Sequence, residues 1–177
     1  LPGSAVEGKD LVKEFCIKHN LHTFLDIGAG EGTYYFALQG DGIIEKIDGV
    51  ESWAPYINEY GLREKYNQLF IADVNYFDWE KAGTYDMVLL GDVIEHMYEA
   101  QGREVIDQAA KHAKYVVVSL PIYGYYQGWG HDGNWFEAHL EQYSNESILA
   151  IISAKYEVLE SMKGGTVGVY IFRGLVE

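Results

Sequence analysis

The feature that most constrains this chain is a short apolar run, Thr23-Phe24-Leu25-Asp26-Ile27, that leads straight into Gly28-Ala29-Gly30-Glu31-Gly32. The run reads as a buried β-strand, and Thr33 to Leu38 beyond the glycines reads as a helix. Glycine at such a turn permits positive φ and lets the backbone approach a ligand with no Cβ in between. The spacing is G-x-G-x-G, whereas the dinucleotide fingerprint is G-x-G-x-x-G, with its third glycine packing the helix over a pyrophosphate. Nicotinamide binding is thereby disfavoured. Taken alone, the turn has two readings, a ligand cradle or a tight structural turn.

Elsewhere the apolar period switches between 3.6 and two in alternating order. Leu11, Val12, Phe15 and Cys16 share a helical face. Strands are expected at Ile43 to Val50, Gln68 to Ala72, Tyr85 to Leu90 and Tyr115 to Leu120, the last ended by Pro121. Helices are expected from Ala54 to Tyr60 and within Ala100 to Ala113, and Ser144 caps another through Ile148, Leu149, Ile151 and Ile152. Tyr156 to Glu160 and Thr166 to Phe172 flank Lys163-Gly164-Gly165 as a hairpin. This order predicts an α/β fold: a doubly wound, seven-stranded, mostly parallel sheet with a C-terminal antiparallel hairpin and helices on both faces. Ligands in such a sheet bind at the carboxyl ends of the strands. Residues 1–177 read as one domain, with Leu1 to Ser4 compatible with a tag remnant and left out of the fold.

Charge narrows the partners. There are 27 acids against 13 bases, a net charge of −14, and the bases form no cluster of the kind that tracks phosphates. A long nucleic acid is a poor partner. No run of eighteen apolar residues and no signal-peptide pattern occurs, so the chain is expected to be soluble and cytoplasmic, with no membrane partner. The lone Cys16 removes disulfides and thiolate zinc sites and reads as core. Oligomeric state is left open.

Three acids stand near strand ends. Glu51 closes the second strand 23 residues past Gly28, where a carboxylate can accept hydrogen bonds from both ribose hydroxyls of a nucleoside. Asp73 follows the third strand, where it can receive the exocyclic amine of adenine with Val74 beside the ring, and Asp26 adds charge next to the glycines. Carboxylates on every side suit a cation, such as the sulfonium and ammonium of S-adenosylmethionine, better than an anionic pyrophosphate.

From Phe24 to Phe172 the chain resembles the class I (Rossmann-like) S-adenosylmethionine-dependent methyltransferases. Phe24 to Thr33 is similar to that family's first motif, Gly49-Val50-Glu51 to its second, Ala72-Asp73-Val74 to its third, and Tyr85 to His96 to its fourth. The resemblance implies that Asp26, Gly28 and Gly30 hold the methionine part, Glu51 the ribose, Asp73 the adenine, and Gly91 and Asp92 the region of the methyl group. Ala29, Ser52 and Val74 complete the expected cofactor-binding set. No Asn-Pro-Pro-Tyr or Asp-Pro-Pro-Tyr follows the fourth strand, so methylation of amino groups on DNA bases is not supported.

For the acceptor, an activated donor leaves the enzyme to position the substrate and, for a hydroxyl, to remove its proton. His96, four residues beyond Asp92, is a candidate base, or else it packs at the start of a short helix with Glu95. The candidate catalytic set is His96, His139 and Asp92. Asp92, Glu95 and His96 at i, i+3 and i+4 can also share a helical face and, with His139, suit a divalent ion. This resembles the metal-dependent ribose 2′-hydroxyl methylases of small RNAs and the quinone-precursor O-methylases. The first acid here is Asp where the metal-binding versions tend to have Glu, and no metal is assigned. The stretch from Ser119 to Gly128 and from Gly133 to His139 reads as an acceptor lid. It resembles methyltransferases of bacteria and phages often associated with sugars or surface polysaccharides. His131 and His139 either bind or deprotonate a hydroxyl there or lie on the surface. The expected activity is methyl transfer from S-adenosylmethionine, with S-adenosylhomocysteine as product, to an oxygen in preference to a nitrogen of a small polar acceptor such as a sugar. The alternatives are a metal-assisted O-methyltransferase and a non-catalytic S-adenosylmethionine-binding subunit.

Overall fold

The computed structural model describes residues 5–40, 42–124, 127–128 and 133–177. Seven strands form one sheet in the order β3-β2-β1-β4-β5-β7-β6. They are β1 (Thr23–Ile27), β2 (Lys46–Glu51), β3 (Leu69–Ile71), β4 (Tyr85–Gly91), β5 (Ala113–Pro121), β6 (Val158–Lys163) and β7 (Val167–Arg173). The first five pair in parallel, whereas β7 runs antiparallel to both β5 and β6. The helices are α1 (Lys9–His19), α2 (Thr33–Leu38), α3 (Pro55–Glu59), α4 (Leu62–Lys65), α5 (Trp79–Ala82), α6 (Glu99–Lys111) and α7 (Asn145–Ser153). The doubly wound, seven-stranded, mostly parallel sheet expected from the apolar periods, with its antiparallel hairpin at the C-terminal end, is the observed architecture.

Alternation along the strands explains the layers, because successive side chains leave opposite faces of a sheet. Phe24, Met87, Leu89, Val117 and Ile171 face a cluster with Val12, Phe15 and Cys16 of α1 and Tyr34 of α2. Leu25, Ile27, Val88, Leu90, Val116 and Val118 face the other way, onto Val105, Ile106 and Ala109 of α6 and Ile148 and Ile152 of α7. Burial of each such side chain contributes about 1.5–3 kcal/mol. Cys16 is fully buried. Ser144 caps α7 by accepting from the Ser147 N–H at 3.1 Å.

Two local expectations are corrected. The second strand begins at Lys46 rather than Ile43, because Gly40 and Gly42 hold positive φ (88° and 66°) and Ile43 N–H turns back to the Gly40 carbonyl. The segment Asp92 to His96 does not form a continuous helical face. Asp92 sits at φ 52° and Val93 at −124°, so only Ile94–His96 makes a 3-10 turn.

Candidate functional site

Between β1 and β4 the strand order reverses, and it is at such a switch point that open α/β sheets leave a crevice. A cleft of about 780 Å³, open to solvent, lies there. It is bounded by the turn after β1 (Gly28, Gly30), the end of β2 (Glu51, Ser52), the segment after β3 (Asp73, Val74) and the end of β4 (Gly91, Asp92). His96, Asn134, Phe136 and Glu137 close its far side. Gly28, Gly30 and Gly32 hold φ of 71°, 50° and 89°, the left-handed region that L side chains rarely adopt. A Cβ on Gly28 would also stand 2.8 Å from Val93 Cγ2.

Glu51 is buried, and its carboxylate is fixed from two sides. Gly30 N–H donates to Oε2 at 2.8 Å, and Trp53 N–H to Oε1 at 2.7 Å. Each oxygen keeps a lone pair for a ligand hydroxyl. Burial raises its pKa, against the pull of these two N–H groups. Asp73, beyond β3, accepts at Oδ1 from both the backbone and the side-chain nitrogen of Asn75, each at 2.9 Å. Asp26 lies beneath the turn rather than in the cleft wall. It accepts from Tyr66 Oη at 2.6 Å, and burial lifts it to about 7 against the opposing effects of Tyr66 and Lys9. Ala29 also turns inward, packed in the core with its N–H on the Val50 carbonyl.

At the end of β4, Asp92 takes positive φ, uncommon for a residue other than glycine. Its N–H holds the Ser119 carbonyl at 2.8 Å, and its Oδ2 accepts from Ala5 N–H at 2.8 Å. Asp92 Oδ1 and both oxygens of the buried Glu95 have no hydrogen-bond partner that is an ordinary donor. Burial, then the charge of Asp92, pushes Glu95 well above the usual carboxylate range.

His96 lines the cleft with its Nδ1 3.2 Å from the Ala138 carbonyl. A carbonyl only accepts, so Nδ1 bears the proton and Nε2 keeps its lone pair. Burial, with a smaller push from His139, lowers His96 to about 4, so the ring is neutral at pH 7. The His96 and His139 rings meet edge to face at 4.9 Å. Ligand atoms of Glu95, His96 and His139 lie within 4.8 Å of one another, a group able to hold a metal ion. Asp92, expected to share the ion with Glu95 and His96 while His139 came fourth, does not join them.

The segment reaching His139 is fixed by polar cross-links. Asn134 is buried, receives Phe136 N–H at 3.1 Å and donates to Tyr56 Oη at 3.2 Å, while Gln127 Nε2 donates to the Glu137 carbonyl at 2.8 Å. His131, with Tyr125, Tyr126 and Trp129, lies outside the described residues, as do Leu1 to Ser4.

Sequence reasoning passed over Lys9 and Tyr66. Lys9 had a signal: with Val12 and Cys16 it keeps the i, i+3, i+7 spacing of the buried face of α1. Tyr66 had none, being set by the turn after α4.

The fold is that of the class I S-adenosylmethionine-dependent methyltransferases. The N-terminal domain of EvdMO1, solved with SAH bound, is 20% identical over 97% of this chain and 83% of that one, with a TM-score of 0.68. This chain covers 41% of whole EvdMO1. The methyltransferase domain of a bacterial CtHen1 gives 19% identity, coverage of 93% and 96%, and a TM-score of 0.71. Magnesium protoporphyrin IX methyltransferase from Synechocystis PCC 6803 with bound SAM gives 14%, 96% and 79%, with a TM-score of 0.69. No protein-family model and no curated protein matches the sequence. Among the described residues, no helix is long and apolar enough to cross a membrane.

Proposed function

We propose that this protein is an S-adenosylmethionine-dependent methyltransferase that moves the methyl group to an oxygen, in preference to a nitrogen, of a small polar acceptor such as a sugar. One observation carries the reading. At the switch point the cleft is lined by Glu51, Asp73, Asp92 and Glu137 and, among the described residues, by no Lys or Arg. A polyphosphate cofactor needs the opposite charge, whereas a sulfonium bearing an ammonium fits. The donor set agrees with that molecule. Glu51 offers lone pairs to a ribose diol, Asp73 on the cleft wall offers a carboxylate to an adenine amine, and Ile27, Val50, Ala72 and Val74 supply apolar walls for a ring. When bound, S-adenosylmethionine supplies a methyl group already activated by the sulfonium charge.

The protein's part is positioning and proton removal. His96 lines the cleft, and its Nε2, which keeps its lone pair, accepts the proton of an acceptor hydroxyl. Asp92 and His139 flank it. The solved EvdMO1 domain crystallised in the presence of SAH and D-fucose supports a sugar as the first acceptor to try. The net charge of −14 supports a small acceptor over a long nucleic acid.

A second reading has its own observation. The partnerless oxygens of Glu95 beside His96 and His139 fit a divalent ion, which would polarise the acceptor oxygen and replace the base. The test is production of S-adenosylhomocysteine across a panel of hydroxyl- and amine-bearing metabolites, with and without chelator. Turnover that survives chelation is expected. Turnover abolished by chelation selects the metal-assisted reading, and binding of S-adenosylhomocysteine without turnover on any acceptor selects a non-catalytic subunit.

A further inference from the structure

Ahead of α1 the backbone turns at Gly8 and reaches the cleft through residues 5–7. Gly8 holds φ of 81°, and a Cβ there would overlap Val169 Cγ2 of β7, so the turn requires glycine. Two polar attachments fix the segment beyond it. Glu7 is fastened to the β6–β7 turn: its Oε1 accepts from Gly165 N–H, and its Oε2 from Thr166 N–H at 3.1 Å, Thr166 Oγ1 at 2.9 Å and Val167 N–H at 3.4 Å. Gly164 has no space for a Cβ beside that carboxylate. The turn itself stands at the carboxyl end of β5, where Val167 pairs with Pro121 and the Thr166 carbonyl accepts from Ile122 N–H at 3.2 Å. Two residues before Glu7, Ala5 N–H donates to Asp92 Oδ2 at 2.8 Å, while among the described residues no N–H reaches Asp92 Oδ1.

The sheet order bears on what Asp92 meets. With the adenine at Asp73 after β3 and the ribose at Glu51 on β2, the order β3-β2-β1-β4 carries the donor over the glycine turn to the end of β4, where Asp92 lines the cleft. The end of the donor that arrives there bears the sulfonium and the ammonium. We propose that Glu7 is a positioning residue of the methyl-donor site: by latching residues 5–8 to the β6–β7 turn it keeps Ala5 N–H on Asp92 Oδ2, and so holds that carboxylate in place at the donor's positive end. This rests on the reading of the cleft as a site for S-adenosylmethionine. The consequence is selectivity. The donor carries a sulfonium charge that its product lacks, and attraction between charges falls with distance, so a held carboxylate favours donor over product more than a loose one does.

The test is calorimetric titration of S-adenosylmethionine and of S-adenosylhomocysteine into the full chain, into Glu7→Ala and Glu7→Gln, and into Asp92→Ala with and without Glu7→Ala, with amide exchange followed at Ala5. In Glu7→Ala the Ala5 amide is expected to exchange faster, and the preference for donor over product to fall by about threefold to tenfold, the range of one ordinary hydrogen bond. Glu7→Gln keeps the length and one acceptor oxygen, and is expected to lose less. Asp92→Ala should lower the preference by itself, and adding Glu7→Ala should lower it no further, because the latch acts through Asp92. An unchanged preference or unchanged Ala5 exchange in Glu7→Ala overturns the proposal, as does a further fall in the double variant; binding of both ligands to the unsubstituted protein would still uphold the reading of the cleft. Should Glu7→Ala fail to fold, Glu7→Gln decides on the same two readouts: a lowered preference with faster exchange supports the latch, and no change in either overturns it. If the unsubstituted protein binds neither ligand, the reading of the cleft falls and this proposal with it.

Discussion

The two sides of the cleft are built differently. On the side proposed for the donor most groups are set by regular structure: Gly28 and Gly30 follow β1, Glu51 ends β2, and Gly91 ends β4, with parallel ladders setting their relative heights. On the side proposed for the acceptor the wall is the irregular stretch through Gly133–His139, which includes the 3-10 turn Trp135–Glu137 and which side-chain bonds tie to Tyr56 and Gln127. A ladder spreads the load of a local defect over many hydrogen bonds, whereas a cross-linked loop depends on a few groups. The donor half therefore reads as a fixed platform common to many reactions, and the acceptor half as the part that selects one.

Substitutions can break that contrast. Gly28→Val should act most severely, since the new side chain must adopt positive φ and would crowd Val93. Saturable binding of S-adenosylhomocysteine should vanish, a loss of at least about 100-fold, while the fold persists by circular dichroism. His96→Asn should cut turnover by about 100-fold and leave that binding unchanged, because it removes a base from the wall and nothing from the platform. Equal losses of both would dissolve the division between the halves.

A pH measurement sharpens the donor side. Asp26 titrates near 7 in the folded protein against 3.8 as its ordinary value, so the folded state holds a proton that the unfolded chain has lost between those limits. Stability should consequently fall as pH rises from about 4 to 7, and Asp26→Asn should flatten that slope in denaturant titrations. On the acceptor side, Asn134→Ala removes a buried amide that serves Phe136 N–H and Tyr56 Oη. A local cost of about 1–3 kcal/mol is expected, seen as faster hydrogen exchange across Gly133–His139 with little change in global melting.

The same contrast decides what could be read from sequence. The strands and the glycine turn were legible because apolar periodicity and left-handed glycines are local signals, and Glu51 because a strand end locates it. Asp92 to His96 was misjudged as one helical face. Its Glu-His pair still meets His139, but through a left-handed Asp92 and a 3-10 turn that no spacing rule specifies. Tyr66 and Asn134 reach partners 40 and 78 residues away, a relation that exists once the chain has folded. Ala29 and Asp26 were placed at the ligand by motif, whereas their side chains point under the turn into the core and onto Tyr66.

In the reading proposed above, the acid-lined cleft at the switch point holds the methyl donor through Glu51. Calorimetric titration of S-adenosylhomocysteine into the unsubstituted protein and into Glu51→Ala tests it most directly. One saturable site is predicted in the former, with affinity weakened by at least about tenfold in the latter, where the ligand hydroxyls lose their acceptor. No binding to the unsubstituted protein, or equal affinity in both, would contradict it.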